Sequence, residues 1–104
     1  MKDPNINIIK NKIKELQPES SIILFGSRAL GTQKEDSYYD ILMQLKKVMK
    51  NTDKRRIASN IRRALWKLMI DVDLIVRDIQ NVKDYEALSG SVTSEAIKKG
   101  LILL

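Results

Sequence analysis

Two aspartates stand inside otherwise apolar runs, Asp40 within Tyr38–Lys47 and Asp73 within Ile70–Val76. A carboxylate turned towards a core is costly unless it pairs with a cation or holds a metal. Two strands that each present one can bring their oxygens together, the arrangement a hard cation such as Mg²⁺ takes. The alternatives are that each aspartate faces solvent on a half-covered sheet, or pairs with one of the many Lys and Arg. Upstream, Ile22–Phe25 runs into Gly26, Ser27 and Arg28. Glycine lets a phosphate approach the backbone, serine adds a hydroxyl donor, and a helix starting at Ser27 would turn free N–H groups and its dipole towards an anion. A purely structural strand-to-turn junction has the same composition. The chain has no Cys and no His. That excludes disulfides, thiol nucleophiles, Ser–His triads and metals ligated by His or Cys. Carboxylates, hydroxyls, Lys, Arg or backbone amides must carry any chemistry.

The elements that must position these groups follow from hydrophobic spacing. Ile6, Ile9, Ile13 and Leu16 recur every three or four residues, which predicts an amphipathic helix over 5–17, stopped at Gln17 by Pro18. Ile22–Phe25 reads as a strand buried on both faces, 31–37 as a polar loop, and Tyr38–Lys47 as a second strand. Thr52 and Asp53 open a helix reaching Met69, with Ile57, Ile61, Ala64, Leu65 and Leu68 on one stripe. Ile70–Val76 alternates as a third strand, with Asp71, Asp73 and Ile75 on the face opposite Ile70, Val72, Leu74 and Val76. After a loop, Ser91 or Thr93 begins a last helix ending at Gly100 as a C′ glycine, and 101–104 is a candidate final strand. Met43, Met49 and Met69 read as core filler. The order α-β-β-α-β-α, with a terminal β, predicts an α/β (α+β) fold: a small mixed sheet with helices packed against it.

At 104 residues the chain is expected to be one domain, 1–104, and its net charge of +6 favours anionic partners. No apolar segment follows Met1-Lys2-Asp3-Pro4, and the longest apolar runs are too short for a bilayer, so the expected location is cytoplasmic with no membrane contact. The helix over 52–69 carries Arg55, Arg56, Arg62, Arg63 and Lys67 opposite its apolar stripe, with Trp66 among them. Arg and Trp are hot-spot residues at protein interfaces and also suit nucleic acid, which makes Arg55, Arg62 and Trp66 candidate partner contacts. A solvated basic face is the alternative.

Taken together, Phe25-Gly26-Ser27-Arg28-Ala29-Leu30-Gly31 and Glu35-Asp36-Ser37-Tyr38-Tyr39-Asp40-Ile41-Leu42 resemble the minimal nucleotidyltransferases of the DNA polymerase β superfamily. Their signature is Gly-Ser, ten residues, then Asp-x-Asp. Their third Asp lies on a later strand, where Val72-Asp73-Leu74 fits. The likeness runs on through Arg62-Arg63-Ala64-Leu65 and Gly90-Ser91-Val92, so it spans nearly the whole chain. It implies the nucleotidyltransferase fold, with Gly26, Ser27 and Arg28 holding a nucleoside triphosphate, ATP above all. Asp40 and Asp73 would be the catalytic, Mg²⁺-binding carboxylates. The implied reaction is in-line attack on the α-phosphate with pyrophosphate leaving.

The sequence departs from that pattern at one position. Tyr38 stands where the first Asp of the pair belongs, a neutral phenol at pH 7 and a poor Mg²⁺ ligand. Asp71, two residues before Asp73, is the alternative source of a further carboxylate. Small members of the family resemble antitoxins that neutralise a HEPN-type ribonuclease toxin by binding it, by transferring AMP to it, or both. The expected function is therefore an antitoxin-like protein that binds such a toxin, with AMP transfer weakened or lost at Tyr38. The alternatives are an active Mg²⁺-dependent nucleotidyltransferase using Asp40, Asp73 and Asp71, and a basic nucleic-acid-binding module.

Overall fold

Helix α1 (Pro4–Leu16) starts where the chemistry favours it: Pro4 occupies the first turn, and Asp3 caps it by accepting from the Asn5 N–H at 3.0 Å. Its buried residues, Ile6, Ile9 and Ile13, are those the spacing selects. The structure, a computed structural model, describes residues 3–86 and 90–104. After α1 come β1 (Ser21–Phe25), α2 (Gly26–Leu30), β2 (Tyr39–Leu45), α3 (Asn51–Trp66), β3 (Val72–Asp78), α4 (Ile79–Glu86), α5 (Val92–Lys99) and β4 (Leu101–Ile102). The strands lie in the order β3-β2-β1-β4. β1 runs antiparallel to β2 and β4, while β2 and β3 are parallel and joined by the α3 crossover. The sheet is mixed, as the irregular helix–strand alternation predicts.

Each strand divides its side chains between two layers. Ile22 and Leu24, Tyr39, Ile41, Met43 and Leu45, and Val72, Leu74 and Val76 pack in one cluster with α1 and α3. Ile23, Leu42 and Ala96, with Phe25, Ile75 and Ile97 against them, form a smaller cluster under α5. Asp40 and Asp73 belong by alternation to this second, thinner face.

One short helix falls where the Gly26-Ser27 turn allows one, and another lies where the sequence reads as loop. α2 occupies Gly26–Leu30, immediately after β1. α4 follows β3 without a break, because the Asp78 side chain accepts from the Asn81 N–H at 2.9 Å and so starts the helix. The third strand correspondingly runs Val72–Asp78 rather than Ile70–Val76, leaving Asp71 outside it and exposed. Helix α3 ends at Trp66, and its last turn closes with Met69 N–H on Trp66 O (2.9 Å) and Ile70 N–H on Leu65 O (3.0 Å). That closure needs a left-handed residue, and here it is Met69 at φ 61°, a conformation that usually selects glycine. Met69 is 83% exposed and is no core filler, unlike the buried Met43. Gly100 ends α5 at φ −77°, so its backbone demands no glycine; a Cβ there would run into the Ile23 side chain and the Leu24 carbonyl. Close packing on β1 is what excludes a side chain.

α3, β3 and α4 are joined by a buried polar knot that hydropathy did not predict. Lys54 Nζ lies 2.8 Å from Asp78 Oδ2, with their side chains 9% and 1% exposed. Lys54 also donates to Asn81 Oδ1 at 2.6 Å, and the Met49 N–H donates to Asp78 at 3.1 Å. Burial alone would raise the Asp78 carboxyl, but the hydrogen bonds from Lys54, Asn81 and Met49 and the Lys54 charge outweigh it and hold it down at about 2.

Candidate active site

Three strand ends meet at one place. Phe25, the last residue of β1, pairs with Asp40, the second of β2, and Asp40 pairs with Asp73, the second of β3. Asp40 and Asp73 are thus lateral neighbours on one sheet face, as close as the pleat allows. Burial raises the Asp40 carboxyl above its ordinary value, and the Asp73 charge raises it further. A cation between the two would relieve both effects.

Gly26 closes the third side. It sits at φ 71°, and a Cβ added there would overlap Oδ2 of Asp40. The absence of a side chain is what lets the β1–α2 junction lie against the carboxylate. Ser27 follows as the second residue of α2, whose first-turn N–H groups have no partners within the helix. Gly26→Ala is expected to lower stability by about 1–2 kcal/mol through the left-handed backbone alone, and to displace Asp40 as well. Denaturant unfolding measures the first, and a fall in metal-dependent nucleotide affinity the second; a variant as stable as wild type would show that the junction relaxes freely.

The remaining candidates are placed differently. Arg28 is turned away from the carboxylates: its guanidinium lies 4.2 Å over the ring of Tyr39, which belongs to the opposite face, and 3.6 Å from Asp3. It donates to the carbonyls of Ser37 (2.8 Å) and Glu35 (3.3 Å), and so clamps the loop that leads into β2. Tyr39 accepts from Asn5 and donates to Asp3, and burial first, then the Asp3 bond, raises its phenol. None of these contacts is implied by the signature, since they tie the start of α1, α2 and the loop to the first residue of β2. Tyr38 stands just before β2 and is 57% exposed, so it supplies no carboxylate there and plugs no buried space. Asp71 is held through its backbone, its carbonyl accepting from the Tyr39 N–H at 3.2 Å. Among the described residues no group of three or more carboxylates gathers as a metal cage.

The basic residues of α3 separate. Arg55 and Arg62 line a groove beside β3, whereas Trp66 is not among its lining residues and lies exposed near the helix end. Among the described residues no helix is long and apolar enough to cross a membrane.

No curated protein sequence matches the chain. Among solved structures, it is similar to a toxin-antitoxin crystallised with AMP-PNP, at 25% identity and a TM-score of 0.62 over 96% of this chain and 73% of the other. A toxin-antitoxin MntA-HpeT mutant carrying two Asp-to-Glu changes is similar at 27% identity and a TM-score of 0.62, with the same coverage. A putative nucleotidyltransferase from Sulfolobus solfataricus is similar at 27% identity and a TM-score of 0.59, over 95% of this chain and 86% of the other. The family model described as Polymerase beta, Nucleotidyltransferase matches residues 7–104. The chain belongs to the polymerase β nucleotidyltransferase family.

Proposed function

We propose that this protein is an antitoxin-like member of the family that binds a HEPN-type toxin, and that its transfer of AMP from ATP is weakened or lost because Tyr38 replaces a metal-binding aspartate. The observation that carries the reading is Asp40 lodged against Gly26 and paired with Asp73, with no group of three carboxylates gathered there among the described residues. Two toxin-antitoxin structures among the neighbours support the partner class, one of them crystallised with AMP-PNP.

Two adjacent carboxylates, one of them raised by burial and then by its neighbour's charge, suit a single Mg²⁺, which commonly takes one or two protein carboxylates together with substrate phosphates. Asp40 and Asp73 would hold it, and when bound it supplies charge neutralisation at the triphosphate. Gly26 leaves room for the phosphates at the head of α2, and the Ser27 hydroxyl donates to them. Arg28 acts at one remove, by fixing the loop before Tyr38. Arg55, Arg62 and Trp66 provide the partner contacts from α3.

The test is calorimetric titration of the wild type with ATP and Mg²⁺, followed by an AMP-transfer assay on a co-purified toxin. The expected result is a stable complex with transfer no faster than that of an Asp40→Asn variant. Transfer well above that variant would overturn the weakened-site reading, and failure to form any complex would overturn the antitoxin reading.

A further inference from the structure

β3 is an edge strand, and among the described residues no strand pairs with its outer edge. The Tyr39 N–H bonds to Asp71 O, which fixes the parity of the parallel ladder: Asp73, Ile75 and Arg77 turn their backbone groups to β2, and Leu74 and Val76 turn theirs outward. Leu74–Arg77 form the floor of a groove of about 520 Å³, with the Arg55 and Arg62 side of α3 as one wall and Asn81 and Tyr85 of α4 as the other.

The charge on this groove is one-sided. Lys54 is neutralised by Asp78, but among the described residues Arg55, Arg62 and Arg77 enter no ion pair and no acidic residue lines the groove. Arg77 is held loosely. Its guanidinium lies 4.9 Å over Tyr85, one nitrogen donates to Val76 O at 3.3 Å, and its Nε is buried with no partner among the described residues. The Val76 carbonyl, one of the outward groups, is therefore covered only by an arginine that a carboxylate would draw away.

We infer that this edge is a docking site for an extended acidic segment of a protein partner, which adds to β3 as a further strand and sets its carboxylates against Arg55, Arg62 and Arg77. Open backbone groups give the ladder, and arginines on the α3 wall and at the end of the floor give the sign of charge, the combination that strand addition uses. Four floor residues span roughly 10 Å, enough to pair a short peptide. A nucleic acid would use the charge but not the ladder, and the groove's one aromatic ring is already engaged by Arg77. The inference deepens the partner-binding reading above and rests on it only in taking the partner to be a protein.

The probe is a capped, labelled hexapeptide of alternating Val and Glu, added to the full chain and compared with the same peptide N-methylated on alternate residues in either register, with a Val/Lys peptide, and with oligouridylate. The expected result is saturable binding that falls at least tenfold on N-methylation in one register and at least tenfold in Arg62→Glu. The Leu74 and Val76 amides should exchange at least tenfold more slowly, while Ile75 and Arg77, already bonded to β2, are unchanged. Binding without protection of those two amides, equal binding of all N-methylated forms, or oligouridylate binding where the acidic peptide does not, would each overturn the inference. A toxin complex that forms while the peptide fails overturns this inference alone; a peptide that adds to the edge while no toxin binds overturns the antitoxin reading alone.

Discussion

Lys54→Met is expected to lower the unfolding free energy by about 3–5 kcal/mol, because it leaves the Asp78 carboxylate buried without its cation. The side chains are 9% and 1% exposed and 2.8 Å apart, so water cannot take the place of the lost ammonium. Met fills most of the volume of the Lys stem, which isolates the charge as the cause. Urea unfolding near pH 7 gives the magnitude, and thermal unfolding should fall by more than roughly 10 °C. A second signature is the acid limb. In the wild type Asp78 is depressed to about 2, against an ordinary value near 3.8. A depressed carboxyl contributes stability that is fully present above the unfolded value and is lost as the pH falls through the folded one. The wild type should therefore lose about 2 kcal/mol between roughly pH 4 and 2. In Lys54→Met the Asp78 carboxyl rises, so this acid loss moves to higher pH. A variant within 1 kcal/mol of wild type with an unchanged acid limb would show that the knot does not hold α3, β3 and α4 together.

Tyr38→Asp is expected to raise Mg²⁺-dependent ATP affinity at least tenfold, about 1.4 kcal/mol. The side chain is exposed and lies outside β2, so the substitution loses little packing and should cost the fold no more than about 0.5 kcal/mol. Position 38 lies two residues before Asp40, on the same side of an extended chain. A carboxylate there adds a second hard ligand on one strand. Without metal it also sets another negative charge near Asp40, whose carboxyl burial and Asp73 already push up, so affinity in the variant should fall more steeply as the pH drops into the carboxylate range. Calorimetry on both proteins across pH 5–8 reads this out. If the wild type binds as tightly as the variant, Tyr38 is not what weakens the site.

The groups that meet at the carboxylates were legible because they obey short-range rules. Glycine after an apolar strand, aspartate inside one and period-two alternation each leave a mark in a few consecutive residues, and the parallel register of β2 and β3 then brings Asp40 to Asp73. α4 was not legible from hydropathy, since among its described side chains only Val82 is buried. Its true signal is polar, the Asp78–Asn81 spacing of an N-cap. Lys54 was missed for a different reason. A lysine on a basic helix reads as solvated, and the partner that buries it is 24 residues away in sequence and chemically unremarkable until the chain folds. Arg28 shows a third kind of miss: its residue type suits a phosphate, yet the carbonyls of Ser37 and Glu35 take its donors.

The open edge of β3 also bears on how the protein behaves in concentrated solution. A bare strand edge is a template for pairing with another copy, the first step towards aggregation. Here two such edges could meet only by bringing Arg55, Arg62 and Arg77 of one molecule against the same residues of the other, and like charges at an interface oppose that encounter. The arginines thus act as gatekeepers whose strength depends on ionic conditions. Added salt, which loosens most charged assemblies, screens this repulsion and makes self-association easier.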